Sequence, residues 1–187
     1  MAGSLVLASQ SPRRKELLAQ AGFVFTVHAA DLDESRHAGE APEAYVQRLA
    51  LEKAQAVLAL YPEATVLGAD TTVVLDGETL GKPQDAEEAR AMLRSLAGRA
   101  HEVHTGLAVV RRTAVQPERV HLETTRVIFD AITPEDLEAY VASGDPLDKA
   151  GAYGIQGFAA RWIPRIEGDY FNVVGLPLAA TVRMLRD

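Results

Sequence analysis

A run of basic residues opens the first helix that the sequence predicts. Ser11 is a good N-cap and Pro12 suits the first helical position, so a helix is expected to begin at Pro12. Its first turn carries Arg13, Arg14 and Lys15, although a helix N-terminus is already partly positive and favours acidic residues by roughly 0.3 to 1 kcal/mol per charge. Free backbone N–H groups, serine hydroxyls and guanidinium groups together suit a phosphate chain. The run predicts an anion site, although a solvated basic patch would have the same sequence.

A carboxylate lies in the middle of an apolar strand. Asp70 is in the middle of the predicted apolar strand 65–75, and a buried carboxylate there costs free energy unless it is paired, hydrogen-bonded or faces a cleft. Asp76-Gly77 is a strong hairpin signal. A turn centred on that dipeptide places Thr71 opposite Lys82 and makes Asp70 a near neighbour of Lys82. Such a pair indicates either an active site or a structural salt bridge.

A second lysine lies where a core residue is expected. The long helix predicted from Pro42 to Leu60 has Lys53 on its apolar stripe, four residues after Leu49. Its ammonium group must therefore reach past the core to solvent or point into a cleft. The polar loop before this helix contains Glu34.

A glycine-rich segment near the C-terminus also carries polar groups. Residues 148–157 include Lys149 and Gln156 between small residues and glycines. Glycine lets the backbone approach a ligand closely. The segment is therefore a candidate for substrate binding, although a turn-rich loop is the alternative.

Metal sites built on cysteine or histidine are not indicated. The chain has no cysteine, which excludes disulfides and thiolate ligands and is compatible with a reducing cytoplasm. His101 and His104 are three residues apart in a predicted strand, so they face opposite sides and cannot share one metal ion without distortion. We expect both to be structural.

Size and charge limit the class of protein. The chain has 187 residues, 48% of them hydrophobic, which suits a single globular unit over residues 1–187. Its net charge of −7 argues against nonspecific binding to nucleic acid or to an anionic membrane. No apolar run is long enough to span a membrane and no signal peptide is recognisable. We expect a soluble, cytoplasmic protein.

Predicted helices and strands alternate along the chain and are mixed with hairpins. This order indicates an α/β fold with a mixed sheet. Strands are expected at residues 5–8, 23–29, 65–75, 101–110, 119–129 and 162–166, and helices at residues 12–21, 42–60, 85–96 and 133–143 and from Pro177 onward.

Taken together, these stretches resemble the Maf family of nucleoside triphosphate pyrophosphatases, once described as septum-formation inhibitors. The resemblance covers nearly the whole chain, and it is carried by residues 8–14, the Glu34 loop and residues 52–54, 68–71, 80–83, 101–106, 148–157 and 174–177. It implies an elongated α/β fold with a mixed, strongly twisted sheet and two lobes around a central cleft, similar to the inosine triphosphate pyrophosphatases. It also implies a homodimer and a divalent cation, Mg²⁺ or Mn²⁺.

The resemblance further implies roles for individual residues. Asp70 would be the proton acceptor that activates a water molecule, and base selection would fall on Arg13, Thr71 and Gln156. The branch that acts on 7-methylguanosine triphosphate usually has an aromatic residue, a glutamine and a glutamate at those positions. This chain has none of them, so it resembles the dTTP/UTP branch, with modified pyrimidine nucleotides as further candidates.

The expected site combines both lines of argument. Asp70 and Lys82 are the expected catalytic residues, and Glu34 and Asp70 are the candidate metal ligands. The expected substrate-binding residues are Ser9, Ser11, Arg13, Arg14, Lys53, Thr71, Lys149 and Gln156. The expected reaction converts a nucleoside triphosphate to the monophosphate and pyrophosphate.

Two other functions remain open from the sequence. One is a nucleotide-binding septation regulator without catalysis, which needs the phosphate site but not Asp70. The other is the same chemistry on purine nucleotides of the inosine triphosphate type. Binding of nucleic acid is the weakest alternative, since the chain has one basic cluster and no interleaved aromatic residues.

Overall fold

A mixed β-sheet forms the centre of the molecule. The computed structural model describes residues 4–112 and 115–186, in which seven strands form one sheet in the order β2-β1-β3-β5-β6-β7, with β4 paired to β3 beside this path. The strands are β1 (Leu5–Leu7), β2 (Thr26–Val27), β3 (Thr65–Leu75), β4 (Glu78–Leu80), β5 (Ala100–Val110), β6 (Glu118–Ile128) and β7 (Arg165–Glu167). β1 runs parallel to β2 and β3, and the other pairs are antiparallel. The predicted mixed α/β fold is confirmed.

Six α-helices flank the sheet in the described part of the chain. They are α1 (Pro12–Gln20), α2 (Pro42–Leu60), α3 (Ala86–Leu96), α4 (Pro134–Ala142), α5 (Tyr170–Val174) and α6 (Leu178–Arg186), and 3-10 turns occupy Asp145–Asp148, Ala150–Ala152 and Phe158–Trp162. The predicted start of α1 is confirmed, because Pro12 opens it and the Ser11 hydroxyl accepts a hydrogen bond from the Arg14 N–H. In residues 4–112 and 115–186, no helix is both long and apolar enough to cross a membrane.

The central strand β3 has an open edge at its middle. β1 pairs with residues 65–67 of β3, and β4 pairs with residues 73–75 on the same side. Within the described residues, the stretch 68–72 therefore has a neighbour only on its other side, where β5 lies. Asp70 and Thr71 are in this stretch. Because side chains alternate along a strand, Asp70 and Thr71 point to opposite faces of the sheet.

Apolar packing is concentrated on either side of this open stretch. Towards β1, Leu67 and Leu107 pack with α1 and α6 on one face, while Val66 and Ala108 pack with α2 on the other. Towards β4, a third cluster packs Val73 of β3 and Val103 of β5 against residues of α3, α4 and the 3-10 turns, among them Leu93, Tyr140 and Trp162. The middle of β3 and β5 is polar, and it lies between these apolar clusters.

The predicted pairing of Thr71 with Lys82 is wrong. The hairpin has the predicted register, with Val73 opposite Leu80, but β4 ends at Leu80. The Gly81 carbonyl accepts a hydrogen bond from the Gly151 N–H at 3.0 Å, so the chain leaves β3 at that point. Thr71 pairs instead with Thr105 of β5.

Three smaller expectations also need correction. The strand predicted at 23–29 is limited to two residues, because β2 pairs only with the short β1. The strand predicted at 162–166 is displaced to β7, since a 3-10 turn runs up to Trp162. The turn at Gly168-Asp169 leads into α5, which the sequence did not predict; the Asp169 side chain caps it by accepting from the Phe171 N–H.

Candidate functional site

A large cleft lies at the open edge of β3. Its volume is about 1010 Å³, which is within the range of nucleotide-sized binding sites. All eleven residues that the sequence predicted for the site line it: Ser9, Ser11, Arg13, Arg14, Glu34, Lys53, Asp70, Thr71, Lys82, Lys149 and Gln156.

On one face of the sheet, Asp70 is paired with Lys53 of α2. The Lys53 Nζ lies 2.6 Å from Asp70 Oδ1 and 2.8 Å from Glu34 Oε1, and the Lys53 and Asp70 side chains are only 10% and 12% exposed. The lysine that contacts Asp70 is therefore Lys53, whereas Lys82 is exposed and makes no hydrogen bond or ion pair within residues 4–112 and 115–186. The position of Lys53 on the apolar stripe of α2 was the signal for this contact.

Two glycines allow α2 to approach the sheet closely enough for this pair. A Cβ atom on Gly68 would lie 2.1 Å from the Ala50 carbonyl oxygen, and one on Gly106 would lie 2.2 Å from the Val46 oxygen. Both separations are far below van der Waals contact. The glycines thus bring the backbone of α2 onto β3 and β5 and carry Lys53 to Asp70.

On the opposite face, Arg14 lies between three neutral oxygen atoms. Its Nε donates to the Gly175 carbonyl at 2.9 Å, its Nη1 to Ser9 Oγ at 3.1 Å and its Nη2 to Thr71 Oγ1 at 3.0 Å. No carboxylate among the described residues forms an ion pair with it. Burial lowers the pKa of Arg14, and the negative charge of Asp70 opposes that effect in part. The site holds a half-buried cation that lacks an anionic partner.

The first turn of α1 offers fewer free N–H groups than the sequence predicted. The Ser11 N–H donates to Ser9 Oγ at 3.2 Å and the Arg14 N–H to Ser11 Oγ at 3.4 Å, while Pro12 has no N–H group. Lys15 does not line the cleft. The positive character of this wall therefore comes chiefly from the guanidinium groups of Arg13 and Arg14.

A chain of ion pairs joins Arg13 to the segment 145–149 on the cleft wall. Arg13 Nη1 lies 3.1 Å from Asp148 Oδ2, and Lys149 Nζ lies 2.6 Å from Asp148 Oδ1 and 2.9 Å from Asp145 Oδ1. Burial opposes ionisation of Asp148, but hydrogen bonds from Lys149 and Arg13 hold its pKa below the usual range. In the ligand-free protein, these two cations are thus already paired with carboxylates.

The segment that carries Gln156 rests on a buried aromatic cluster. Tyr153 lines the cleft, and its hydroxyl lies 2.7 Å from His101 Nε2. Burial lowers the pKa of His101 to about 4, so this histidine is neutral near pH 7. Gly151 has a φ of +67° and packs directly against Val73, a backbone conformation that favours glycine.

The two histidines make separate contacts within the sheet region. His101 contacts Tyr153, whereas His104 Nδ1 lies 2.8 Å from Thr124 Oγ1 in the neighbouring strand. In the part of the chain that the structure describes, no three His, Cys, Asp or Glu side chains are grouped to hold a metal ion. Tyr45 and Asp148 also line the cleft; the sequence did not identify them as site residues, because their positions depend on contacts distant in the chain.

Comparison with known proteins identifies relatives over the full length of the chain. The family model described as Maf-like protein matches residues 4–187. The dTTP/UTP pyrophosphatase of Myxococcus xanthus is 56% identical over 181 residues, which are 97% of this chain and 90% of that protein. The proteins of the same name from Koribacter versatilis and Symbiobacterium thermophilum are 52% and 55% identical, each over 97% of this chain and over 93% and 92% of their own lengths.

A solved structure from another bacterium resembles the chain distantly. A structure from Mycobacterium abscessus titled nucleoside-triphosphatase / dITP/XTP pyrophosphatase covers 98% of this chain and 93% of its own, with 16% identity and a TM-score of 0.43. A likeness at that level favours no substrate.

Proposed function

The chain belongs to the Maf family, as its motifs predict, and we propose that it hydrolyses dTTP and UTP to the nucleoside monophosphate and pyrophosphate. Three relatives that are more than 50% identical over nearly all of the chain carry the name dTTP/UTP pyrophosphatase. The structural observation that carries the proposal is the position of Asp70 in the open stretch of β3. There a carboxylate and a basic wall share one cleft.

The open edge of β3 suggests how the substrate lies. Thr71 faces the side of Arg14, whereas Asp70 faces the side of Lys53 and Glu34. We propose that the nucleoside occupies the Thr71 face and that the phosphates run along the open edge between the ends of β1 and β4. The α-phosphorus would then come within reach of a water molecule held by Asp70.

Asp70 supplies the acid–base chemistry in this proposal. It accepts a proton from the water whose oxygen attacks the α-phosphorus, while the bond from that phosphorus to the α,β-bridging oxygen breaks. Pyrophosphate leaves with the bonding electrons, and Arg14 and Lys82 stabilise the charge that develops on it. Lys53 keeps the Asp70 carboxylate in place at 2.6 Å.

A divalent cation, Mg²⁺ or Mn²⁺, fits this site as a substrate-bound ion. Glu34 and Asp70 both line the cleft, and their oxygens lie close enough together to share the Lys53 ammonium. Since the described residues contain no group of three such donors, phosphate oxygens and water would complete the coordination, as Mg²⁺ prefers. When bound, the ion would neutralise part of the phosphate charge.

Base selection is assigned to Arg13, Thr71 and Gln156. The amide of Gln156 offers one acceptor and two donors, which suits the edge of uracil or thymine. Arg13, Thr71 and Gln156 all line the cleft, and Arg13 is paired there with Asp148. The family resemblance also supports a homodimer in the cytoplasm. Analytical ultracentrifugation of the purified protein would test the dimer, and fractionation of cells would test the location.

The proposal is tested by pyrophosphate release from dTTP, UTP, CTP, GTP, 7-methyl-GTP and ITP in the presence of Mg²⁺. We expect preferential turnover of dTTP and UTP, and in ¹⁸O-labelled water we expect the label in the monophosphate, as attack at the α-phosphorus requires. Preferential turnover of ITP would instead support a purine-type enzyme. Nucleotide binding without any pyrophosphate release would support a regulator.

A further inference from the structure

The loop that carries Glu34 lacks an apolar anchor. The chain has no regular secondary structure between β2 and α2, and none of residues 31–40 is buried. The Glu34 carboxylate nevertheless lies 2.8 Å from the Lys53 ammonium. Because apolar packing does not fix this loop, its polar contacts must hold Glu34 at the cleft.

Arg48 of α2 makes the most extensive of these contacts. Its guanidinium group forms a two-point pair with Glu40, with Nε at 2.6 Å from Oε1 and Nη2 at 2.8 Å from Oε2. The Nη2 also donates to the Ser35 carbonyl at 3.1 Å, and Nη1 donates to Glu52 at 3.1 Å. The Arg48 and Glu40 side chains are only 18% and 10% exposed. One side chain therefore holds the loop at two points five residues apart.

Two further hydrogen bonds hold the loop near Glu34. The Tyr45 hydroxyl donates to the Glu34 carbonyl at 2.9 Å, and the Glu40 carboxylate accepts from the His37 N–H at 3.0 Å. The hydrogen bond from Arg48 lowers the pKa of Glu40 to about 2, so this carboxylate is ionised throughout the neutral range. The pair stays charged, and the backbone of residues 34 and 35 stays tied to α2.

We propose that Arg48 is a positioning residue that places Glu34 against Lys53 and so acts on the reaction through Glu34, an inference that rests on the proposed hydrolysis. Arg48 does not line the cleft. A planar guanidinium can bond Glu40 and Ser35 together, whereas a lysine ammonium lacks that geometry. Lysine at this position is therefore not expected to restore activity.

A double-mutant cycle separates positioning from general stability. In the protein that retains Glu34, Arg48→Gln is expected to lower kcat/KM for UTP by about 10- to 100-fold, as for other residues that orient a site group. In the background of Glu34→Gln, the same change is expected to lower it by less than about 3-fold, since the group it positions is gone. Arg48→Lys is expected to resemble Arg48→Gln.

Arg90 provides the matched control. It also pairs with a carboxylate, since its Nε lies 3.0 and 2.9 Å from the two Glu138 carboxylate oxygens, and it joins α3 to α4 away from the cleft. Arg90→Gln is expected to leave kcat/KM unchanged. Hydrogen exchange of residues 31–40 should accelerate in Arg48→Gln and not in Arg90→Gln, which gives a readout independent of activity.

Tyr45→Phe covers the case in which Arg48→Gln fails to fold. It removes only the hydroxyl that bonds the Glu34 carbonyl, and its effect should likewise shrink in the Glu34→Gln background. Equal losses in the two backgrounds would overturn the positioning role. A wild-type protein that releases no pyrophosphate would refute the proposed function instead.

Discussion

Replacement of Arg14 by glutamine tests whether the unpaired guanidinium is the anchor for the leaving pyrophosphate. Arg13, Lys53 and Lys149 each pair with a carboxylate in the described structure, whereas Arg14 bonds only to neutral oxygens. Its charge is therefore available to a phosphate group without the loss of an existing ion pair. Burial, which lowers its pKa, makes an added anion still more favourable.

The expected magnitude follows from the bonds that the variant would lose. A hydrogen bond between charged groups contributes about 1.5 to 3 kcal/mol, and the arginine fork can direct one or two N–H groups to a phosphate. We expect Arg14→Gln to weaken binding of pyrophosphate by about 2 to 3 kcal/mol, or about 30- to 150-fold. Arg14→Lys should restore part of this loss, since it keeps the charge but not the fork.

Isothermal titration with pyrophosphate and Mg²⁺ measures this effect directly. Lys15→Gln is the matched control, because Lys15 has the same charge in the same helical turn but does not line the cleft. Thermal unfolding of each variant first establishes that the fold is retained. Equal affinities of Arg14→Gln and Lys15→Gln for pyrophosphate would refute the assignment.

Three further predictions concern stability and specificity. Burial lowers the pKa of His101 to about 4 from 6.5. The contribution of the neutral imidazole to the free energy of unfolding is therefore complete above pH 6.5 and is lost as the pH falls towards 4. Urea unfolding should show that the free energy of unfolding falls by up to about 3 kcal/mol over this pH range. The His101→Gln variant should lose most of this pH dependence, and a variant with the same pH dependence as the wild type would contradict the assignment to His101. Gly68→Ala should destabilise the protein by about 1 to 3 kcal/mol and lower turnover, since its Cβ would lie 2.1 Å from the Ala50 oxygen; wild-type stability in urea would argue against this close approach. Gln156→Glu should lower kcat/KM for UTP by about 100-fold or more, because the base would lose a partner in the cleft, and unaltered UTP turnover would exclude that role.

Local signals in the sequence were sufficient to predict the helices and strands around the cleft. Ser11 and Pro12 define the start of α1, and the apolar periodicity gives both ends of α2 at Pro42 and Leu60. The Asp76-Gly77 turn fixes the register of the β3–β4 hairpin. These features depend on residues within a few positions of one another, which is why composition and spacing alone predict them.

Long-range contacts account for what the sequence did not predict. The hairpin ends at Leu80 because the Gly81 carbonyl bonds to Gly151, which lies far along the chain. That contact separates Lys82 from the position opposite Thr71. Similarly, the two-point pair between Arg48 and Glu40 depends on the path of a loop without regular structure, and no local pattern indicates it.

The residues that line the cleft were easier to predict from the sequence than the contacts among them. All of the residues that the motifs singled out as site candidates line it, because each motif combined a charged group with a helix start, an apolar strand or a glycine-rich segment. Their partners were harder to assign, since five cations and five carboxylates line the same cleft. Close packing of α2 at Gly68 brings Lys53 to Asp70, and that approach depends on the tertiary fold.

Turnover and binding by the Asp70→Asn variant test the central claim most directly. The substitution keeps the shape of the side chain and removes the proton acceptor. We expect pyrophosphate release from dTTP and UTP to fall by about 10²- to 10⁴-fold, while the affinity for pyrophosphate measured by titration changes by less than about tenfold. A variant that still turns over dTTP and UTP at the wild-type rate would show that Asp70 is not the group that activates water.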